Sequence, residues 1–429
     1  MTAVPEPPLL LSFEDARHLV ERHAATLHPR GKELVDLLDA SASGGQILAE
    51  PVVADRNFPP FPRAMRDGYA VRATDLSRLP ATLEVIGEIK AGASNKDIPP
   101  VQSGQAVAIM TGAPAPPGAD AVVMVEYATR EGERVHIKKA VAAGDNIVAA
   151  GSEARRGARL LPPGVRLDYA AIAVAAAAGR SRLLVCRKPQ VAILVTGDEI
   201  VDIDVTPAAN QIRNSNSYSL AAQVQAAGGE PVLLPIAPDE PARLRQLIAD
   251  GLEADLLLLA GGVSMGKYDL VEQVLAEFQA EFFFTGVLIQ PGKPAVFGRV
   301  PWGRGRLAQE LPTSAAEHVY FFGLPGNPIS TMVTFELFAR PMVESLAGLA
   351  PRKLVFLNAQ LKSEIKTKTG LKRFLPAVLS GEFEHAEVEL AGWHGSGDVA
   401  AMARANCYIV IPPDRERIAA AEWLPVLLI

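Results

Sequence analysis

Hydrophobic and polar positions change rhythm along the chain, and each rhythm predicts a different kind of element. Ser12-Phe-Glu-Asp15 predicts a helix start. The Ser12 hydroxyl is placed to accept from the free N–H groups of the first turn, and Asp15 holds the acidic position of a capping box. Between about Thr82 and Lys139, the runs LEVIGEI, QAVAIM, AVVMVEY and RVHIKK are short, rich in β-branched residues and separated by Gly, Pro and Asn. They predict a small β domain. Ahead of it, RNFPPFP from Arg56 to Pro62 cannot hold a regular element and predicts a hinge or boundary. Asp168 is placed to cap an Ala-rich helix running to Ala178, with Gly179 as its left-handed C-terminal residue.

The rhythm then alternates. Val191–Thr196, Pro231–Ile236 and Asp255–Ala260 read as apolar strands, with helical segments near Ser217–Ala227, Glu240–Asp250 and Leu270–Gln279 between or after them. Such alternation predicts a doubly wound α/β domain with a mostly parallel sheet. After Gly348 the alternation stops, and Lys353 to the end reads as short strands of a compact C-terminal β domain. Ligands of open α/β sheets sit outside the carboxyl ends of the strands, so the segments that follow the strands are where chemistry is sought.

Composition narrows the function classes. With 429 residues the chain is long enough for several domains, and 49% hydrophobic with 21% charged residues is an ordinary globular balance. A net charge of −6 excludes a uniformly basic nucleic-acid or membrane-surface binder but leaves room for a local basic pocket. Only Cys186 and Cys407 are present, which is no disulfide framework and points to a reducing compartment. The N-terminal segment lacks a signal-peptide pattern, and Ala170–Ala178 and Asp255–Ala260 fall far short of the ~20 apolar residues of a membrane span. The expected location is cytoplasmic. No CxxC pair, HExxH or GxSxG occurs, which removes common zinc and α/β-hydrolase chemistries.

Several turns carry candidate chemistry. In Val195-Thr-Gly-Asp-Glu199, Thr196 and Gly197 offer a hydroxyl and an N–H to an anion, and Asp198 and Glu199 offer oxygens to a cation; a plain capped turn fits as well. Ala260-Gly-Gly-Val-Ser-Met-Gly266, followed by Asp269, reads either as a phosphate nest or as a simple glycine turn. In Gln290-Pro-Gly-Lys-Pro294, prolines fix where the Lys293 ammonium points, although lysines on turns are usually only solvated. Leu324-Pro-Gly-Asn-Pro-Ile-Ser330 is a rigid strand-to-helix turn that places the Ser330 hydroxyl near a helix start. Met65-Arg-Asp-Gly-Tyr-Ala-Val71 and Met110-Thr-Gly-Ala-Pro114 complete the set, each also readable as an ordinary turn.

Taken in order, RDGYAVRATD, MTGAPAPPGADAVVMVE, VAILVTGDEI, AGGVSMGKYD, QPGKP, LPGNPIS and GSGDVAAMARANCYIVIP resemble the molybdopterin molybdenumtransferase family, the MoeA and gephyrin E-domain proteins. The resemblance runs from Arg66 to Pro412. It implies a multidomain α/β plus β protein, elongated and homodimeric. Its implied parts are a discontinuous domain I (10–52 and 145–181), a small β domain II (53–144), a MogA-like α/β domain III (182–341) and a C-terminal β-barrel-like domain IV (342–429). The implied reaction inserts molybdate into adenylated molybdopterin with release of AMP and a requirement for Mg2+, in molybdenum cofactor biosynthesis.

By the same analogy, Asp239, Asp269 and Glu199 surround Mg2+ and the phosphates, and Gly261, Gly262 and Ser264 line the phosphate nest. Lys293, Ser330, Arg373 and Ser396 form the molybdate pocket, shaped by Pro325 and Pro328. Asp67 and Thr111 match family positions that face the partner subunit's α/β domain, so each active site is expected to need both chains. With Glu199, Asp269 and Lys293, they make up the expected catalytic set. The expected partners are a second copy and a molybdopterin-adenylating protein, with neither nucleic acid nor membrane. The chain departs from the family pattern at Arg66, Gln290, Ala260 and Ser152, which bears on molybdate against tungstate. A gephyrin-like scaffold and an enzyme that adenylylates molybdopterin are the rival expectations.

Overall fold

A computed structural model describes residues 10–93, 99–262, 270–301, 318–350, 353–382, 385–392 and 395–429. The chain divides into two compact units: Met1–Ala49 with Gly164–Tyr169 and Arg182–Ile429, and Glu50–Pro163 with Ala170–Ser181. The expected boundary at Arg56–Pro62 is not where the division falls. That segment lies inside the smaller unit, tied there by the Phe58 N–H donating to the Ala154 carbonyl at 2.7 Å.

In the larger unit, α1 spans Phe13–Ala24. Ser12 caps it as expected: its Oγ accepts the Asp15 N–H at 3.1 Å and donates to Asp15 Oδ2 at 2.7 Å. Phe13, Ala16, Val20 and Ala24 make its buried stripe, at the spacing one helix face requires.

The smaller unit holds the predicted β domain, a six-stranded sheet of β1 (Gly68–Val71), β2 (Ala81–Ile89), β3 (Gln105–Ile109), β4 (Ala121–Met124), β5 (Ala128–Glu131) and β6 (Arg134–Ile137). Their order is β4-β1-β3-β2-β6-β5. Alternation sets its two faces: Tyr69 and Val71 of β1 join one core cluster, whereas Ala70 joins another. α2 (Tyr169–Ala177) follows Asp168, and Gly179 takes the left-handed conformation predicted for it, with φ 73°.

The α/β part of the larger unit comprises β7 (Gln190–Val195), α3 (Asn216–Ala227), β8 (Glu230–Leu233), α4 (Pro241–Gly251), β9 (Leu256–Ala260), α5 (Leu270–Glu277) and β10 (Glu281–Phe284). It continues through β11 (Ile289–Gln290), β12 (Val296–Pro301), β13 (His318–Leu324), α6 (Pro328–Thr334) and α7 (Arg340–Leu346). The sheet order is β8-β7-β9-β13-β12-β10; β8, β7, β9 and β13 run parallel, and β12 and β10 add antiparallel pairs. Both faces are covered. Val191, Ile193 and Val195 of β7 pack with α1, α3 and α7, while Ala192 and Leu194 pack with α4 and α5. This is why β7 and β9 read as unbroken apolar runs.

The C-terminal part consists of β14 (Phe356–Leu361), β15 (Lys372–Ser380), β16 (Glu387–Leu390), α8 (Val399–Arg404), β17 (Cys407–Ile411) and β18 (Trp423–Leu428). They join in the order β15-β16-β14-β18-β17, and β17 pairs back with β15, so the sheet closes into a barrel. β11 adds to its β15 edge. Among the described residues, no helix is long and apolar enough to cross a membrane.

Candidate functional site

The turns that follow the parallel strands converge. Thr196, the residue after β7, donates its N–H to the Ala260 carbonyl at 3.1 Å, and the next N–H, of Gly197, reaches the Ala237 carbonyl at 3.2 Å. After β9, Gly261 and Gly262 both have positive φ, 93° and 64°. A Cβ on Gly262 would stand 2.7 Å from Thr196 Oγ1, so no larger residue fits without displacing that hydroxyl. A Cβ on Gly326, in the turn after β13, would lie 3.4 Å from the Gly261 Cα. The glycine turns after β9 and β13 therefore abut. Thr196 is 5% exposed, and its Oγ1 has no hydrogen-bond partner among the described residues.

The LPGNPIS turn is held by a threonine that sequence reasoning passes over. The buried Thr331 Oγ1 donates to the Pro325 carbonyl and lies 3.0 Å from the Asn327 carbonyl, tying the turn to the first turn of α6. Ser330 is buried, and its carbonyl accepts from Thr334 Oγ1 at 2.7 Å. The Ile329 N–H donates to the Ser396 carbonyl at 3.0 Å, which brings the C-terminal GSGD turn against this one. Pro325 is buried and Pro328 half-buried at the start of α6.

The Gln290-Pro-Gly-Lys turn packs on α6. Gly292 has φ 108°, and a Cβ there would come within 2.4 Å of Thr334 Cγ2. The peptide between Gln290 and Pro291 is cis. Lys293 is half-buried, and its carbonyl accepts the Val287 N–H at 2.9 Å. One residue before this turn, the chain meets the barrel: Ile289 and Gln290 pair in parallel with Lys372 and Arg373.

Arg373 is 6% exposed. Its Nε donates to Thr367 Oγ1 and its Nη2 to the Lys368 carbonyl at 2.6 Å, while Nη1 is buried with no hydrogen-bond partner among the described residues. Burial lowers the pKa of this guanidinium from its ordinary value. α1 supports the preceding residue, since Lys372 pairs with Glu14 and its ammonium stands 4.9 Å from the Phe13 ring centroid.

Asp198, Glu199 and Asp239 lie exposed on the segments that follow β7 and β8. Asp198 Oδ1 accepts the Asp239 N–H at 3.1 Å. Partial burial first, then the charges of Asp198 and Glu199, push the Asp239 carboxyl above the usual range. Among the described residues, no group of three or more His, Cys, Asp or Glu is arranged as a metal site. Ser264 and Asp269 lie outside the described residues.

Asp67 and Thr111 belong to the smaller unit. Both Thr111 groups donate to Asp67 Oδ1, the N–H at 2.6 Å and the hydroxyl at 2.8 Å. Those bonds hold the Asp67 carboxyl below the usual carboxylate range.

Sequence reasoning misses Asn216, Thr331 and Thr334, which tie the turns together. Asn214-Ser-Asn-Ser217 reads as an ordinary helix entry, and only the burial of Asn214, Asn216 and Ser217 sets it apart. A run of polar residues bracketing the predicted start of a helix was the available signal.

Comparison with known proteins agrees with this architecture. The MoeA N-terminal region (domains I and II) matches residues 11–179, a probable molybdopterin binding domain matches 192–345, and the MoeA C-terminal region (domain IV) matches 358–429. A molybdopterin molybdenumtransferase of Nostoc sp. is 36% identical, over 91% of this chain and 88% of its own length. One of Bacillus subtilis is 32% identical, over 90% of this chain and 87% of its own. The crystal structure of the molybdopterin biosynthesis moeA protein of Pyrococcus horikoshii OT3 superposes with a TM-score of 0.76 at 28% identity, covering 98% of this chain and 100% of that one. With matched regions running from the N-terminal helix to the closing barrel strand, in the order that the turns require, the chain belongs to the MoeA family.

Proposed function

We propose that this chain is a molybdopterin molybdenumtransferase that inserts molybdate into adenylated molybdopterin and releases AMP. The observation that carries the reading is Arg373. A buried guanidinium with one unpartnered donor edge stands in register with the residue before the Pro-Gly-Lys turn. A planar guanidinium fork presents directed N–H groups to an oxyanion, and a flexible ammonium on the neighbouring turn adds charge.

In this reading Arg373 and Lys293 bind the oxyanion, with the hydroxyls of Ser330 and Ser396 completing its coordination by hydrogen bonds. The rigid Pro325–Pro328 turn fixes where Ser330 stands. The Gly261 N–H is committed to the Leu324 carbonyl, so in this reading the turn approaches the phosphates closely through Gly262, as only a residue without a side chain permits here. Thr196 supplies a hydroxyl beside them.

Asp198, Glu199 and Asp239 do not form a three-ligand metal cage by themselves, but they offer Mg2+ the carboxylate oxygens it prefers. Partial burial first, and then the charges of Asp198 and Glu199, raise the Asp239 proton affinity, and a divalent cation would relieve the repulsive part. Mg2+ usually takes one or two protein carboxylates with water and substrate phosphate, so a closed protein cage is not required. Glu199 and Asp239, with Asp269, would hold it. When bound, it would neutralise charge on the phosphates as the AMP leaves. On the same reading the chain acts as a homodimer, Asp67 and Thr111 serve the second copy's site, and a molybdopterin-adenylating protein supplies the substrate.

The test is AMP release by the purified chain from adenylated molybdopterin with Mg2+, with and without molybdate. Release that depends on molybdate is expected, and a parallel series with tungstate reads the oxyanion preference. No molybdate-dependent AMP, while the Bacillus subtilis relative works alongside, overturns the proposal.

A further inference from the structure

The segment entering α3 carries a buried polar side chain to which none of the assigned roles applies. Asn214 is committed to the helix start: its Nδ2 donates to Ser217 Oγ at 2.9 Å, and its Oδ1 accepts the Ser217 N–H at 3.0 Å. Asn216 is not. Its Nδ2 donates to the Gly326 carbonyl at 2.7 Å, but its Oδ1 is buried and has no hydrogen-bond partner among the described residues. The Gly326 carbonyl fixes which way the amide faces, because the opposite orientation would set two acceptor oxygens against each other. The residue is 6% exposed, and unpaired buried acceptors are rare enough in folded proteins that each needs a reason.

Its position supplies one. Gly326 abuts Gly261, and Gly262 abuts Thr196, whose Oγ1 is a second buried oxygen without a partner. Both orphaned oxygens thus border the glycine turns at the carboxyl ends of the parallel strands. An amide oxygen only accepts, so it repels phosphate and molybdate oxygens and is satisfied only by a donor. We propose that Asn216 is a specificity-determining residue that reads the exocyclic amino group of the substrate's heterocycle through Oδ1. This rests on the functional reading above. Pterin and adenine both carry such a group, and the test separates them.

Affinities of the full chain and of Asn216→Ala are measured by calorimetry for AMP, for purine riboside 5′-monophosphate, for pterin and for pteridin-4-one. The second and fourth probes lack the amino group of the first and third. Removing the amino group from the heterocycle that sits on Asn216 is expected to weaken binding to the unmodified chain about 10-fold, the worth of one buried hydrogen bond, and to leave binding to Asn216→Ala unchanged. An equal loss in both proteins, as a merely structural Asn216 requires, overturns the proposal. So does an unmodified chain that is indifferent to both deletions, a result that needs no variant to fold. Binding of none of the probes to the unmodified chain overturns the functional reading itself.

Discussion

Gln290 and Arg373 are register partners on parallel strands, although one precedes the Pro-Gly-Lys turn and the other belongs to the closing barrel. The pairing sets the backbone of the buried Arg373 alongside the residue that opens the turn carrying Lys293. The face on which Arg373 stands depends on that register, since a slip of one residue on β15 would turn it to the opposite face.

Arg373→Ala is expected to raise the molybdate concentration needed for half-maximal AMP release by about 10- to 100-fold, the range of a lost charge-assisted hydrogen bond. Affinity for AMP should stay within twofold. Arg373→Lys should rescue little, because an ammonium cannot bond Thr367, Lys368 and an oxyanion in one plane. Unchanged molybdate dependence in the alanine variant would remove Arg373 from the pocket.

Gly292→Ala should destabilise the fold by roughly 1–3 kcal/mol, because the added methyl overlaps Thr334 Cγ2 in a core without slack. Thr334→Ser removes that methyl and keeps the hydroxyl that bonds the Ser330 carbonyl. The double variant should therefore recover part of the loss, with the positive φ at 292 accounting for the remainder. Urea unfolding of the two single variants and the double variant checks this, and simple additivity would show that the two residues do not touch.

Asp239→Asn should slightly raise the melting temperature at neutral pH while weakening the Mg2+ dependence of AMP release. The Asp239 carboxyl titrates above its unfolded value, so folding favours its protonated form. Its contribution is most favourable below the unfolded value near ~3.9 and is lost as pH rises through the folded one. The gain should be about 0.5 kcal/mol, as expected of a surface substitution. A variant no more stable than the parent would show that neither partial burial nor the neighbouring carboxylates penalise the charge at 239.

Asp67 has the opposite sign. Thr111 lowers its folded value, so the stabilisation is present above the unfolded value near ~3.9 and disappears as pH falls through the folded one. Melting curves of the parent and Asp67→Asn taken between neutral and strongly acid pH should converge at the acid end. Parallel curves over the whole range would show that the carboxylate contributes nothing through its charge.

Much of the fold was legible because its signals are local. The Ser12 cap, the apolar runs of β7 and β9, the left-handed Gly179 and the short strands of the β domain depend on neighbours within a turn or on the period of one element. The same holds for the candidate turns, since glycine and proline write their conformational needs into the sequence. By itself, the sequence determined the alternation of the α/β part, the short strands of the β domain, the turns that carry Lys293 and Gly261, and the place of Ser330 near a helix start. Only the tertiary structure decided that Gln290 pairs with Arg373, that Thr334 fills the space over Gly292, and that Asn216 leaves an acceptor free beside Gly326. The reason is physical: propensity and periodicity act over a few residues, whereas register and packing between distant segments are settled by burial of whole faces at once.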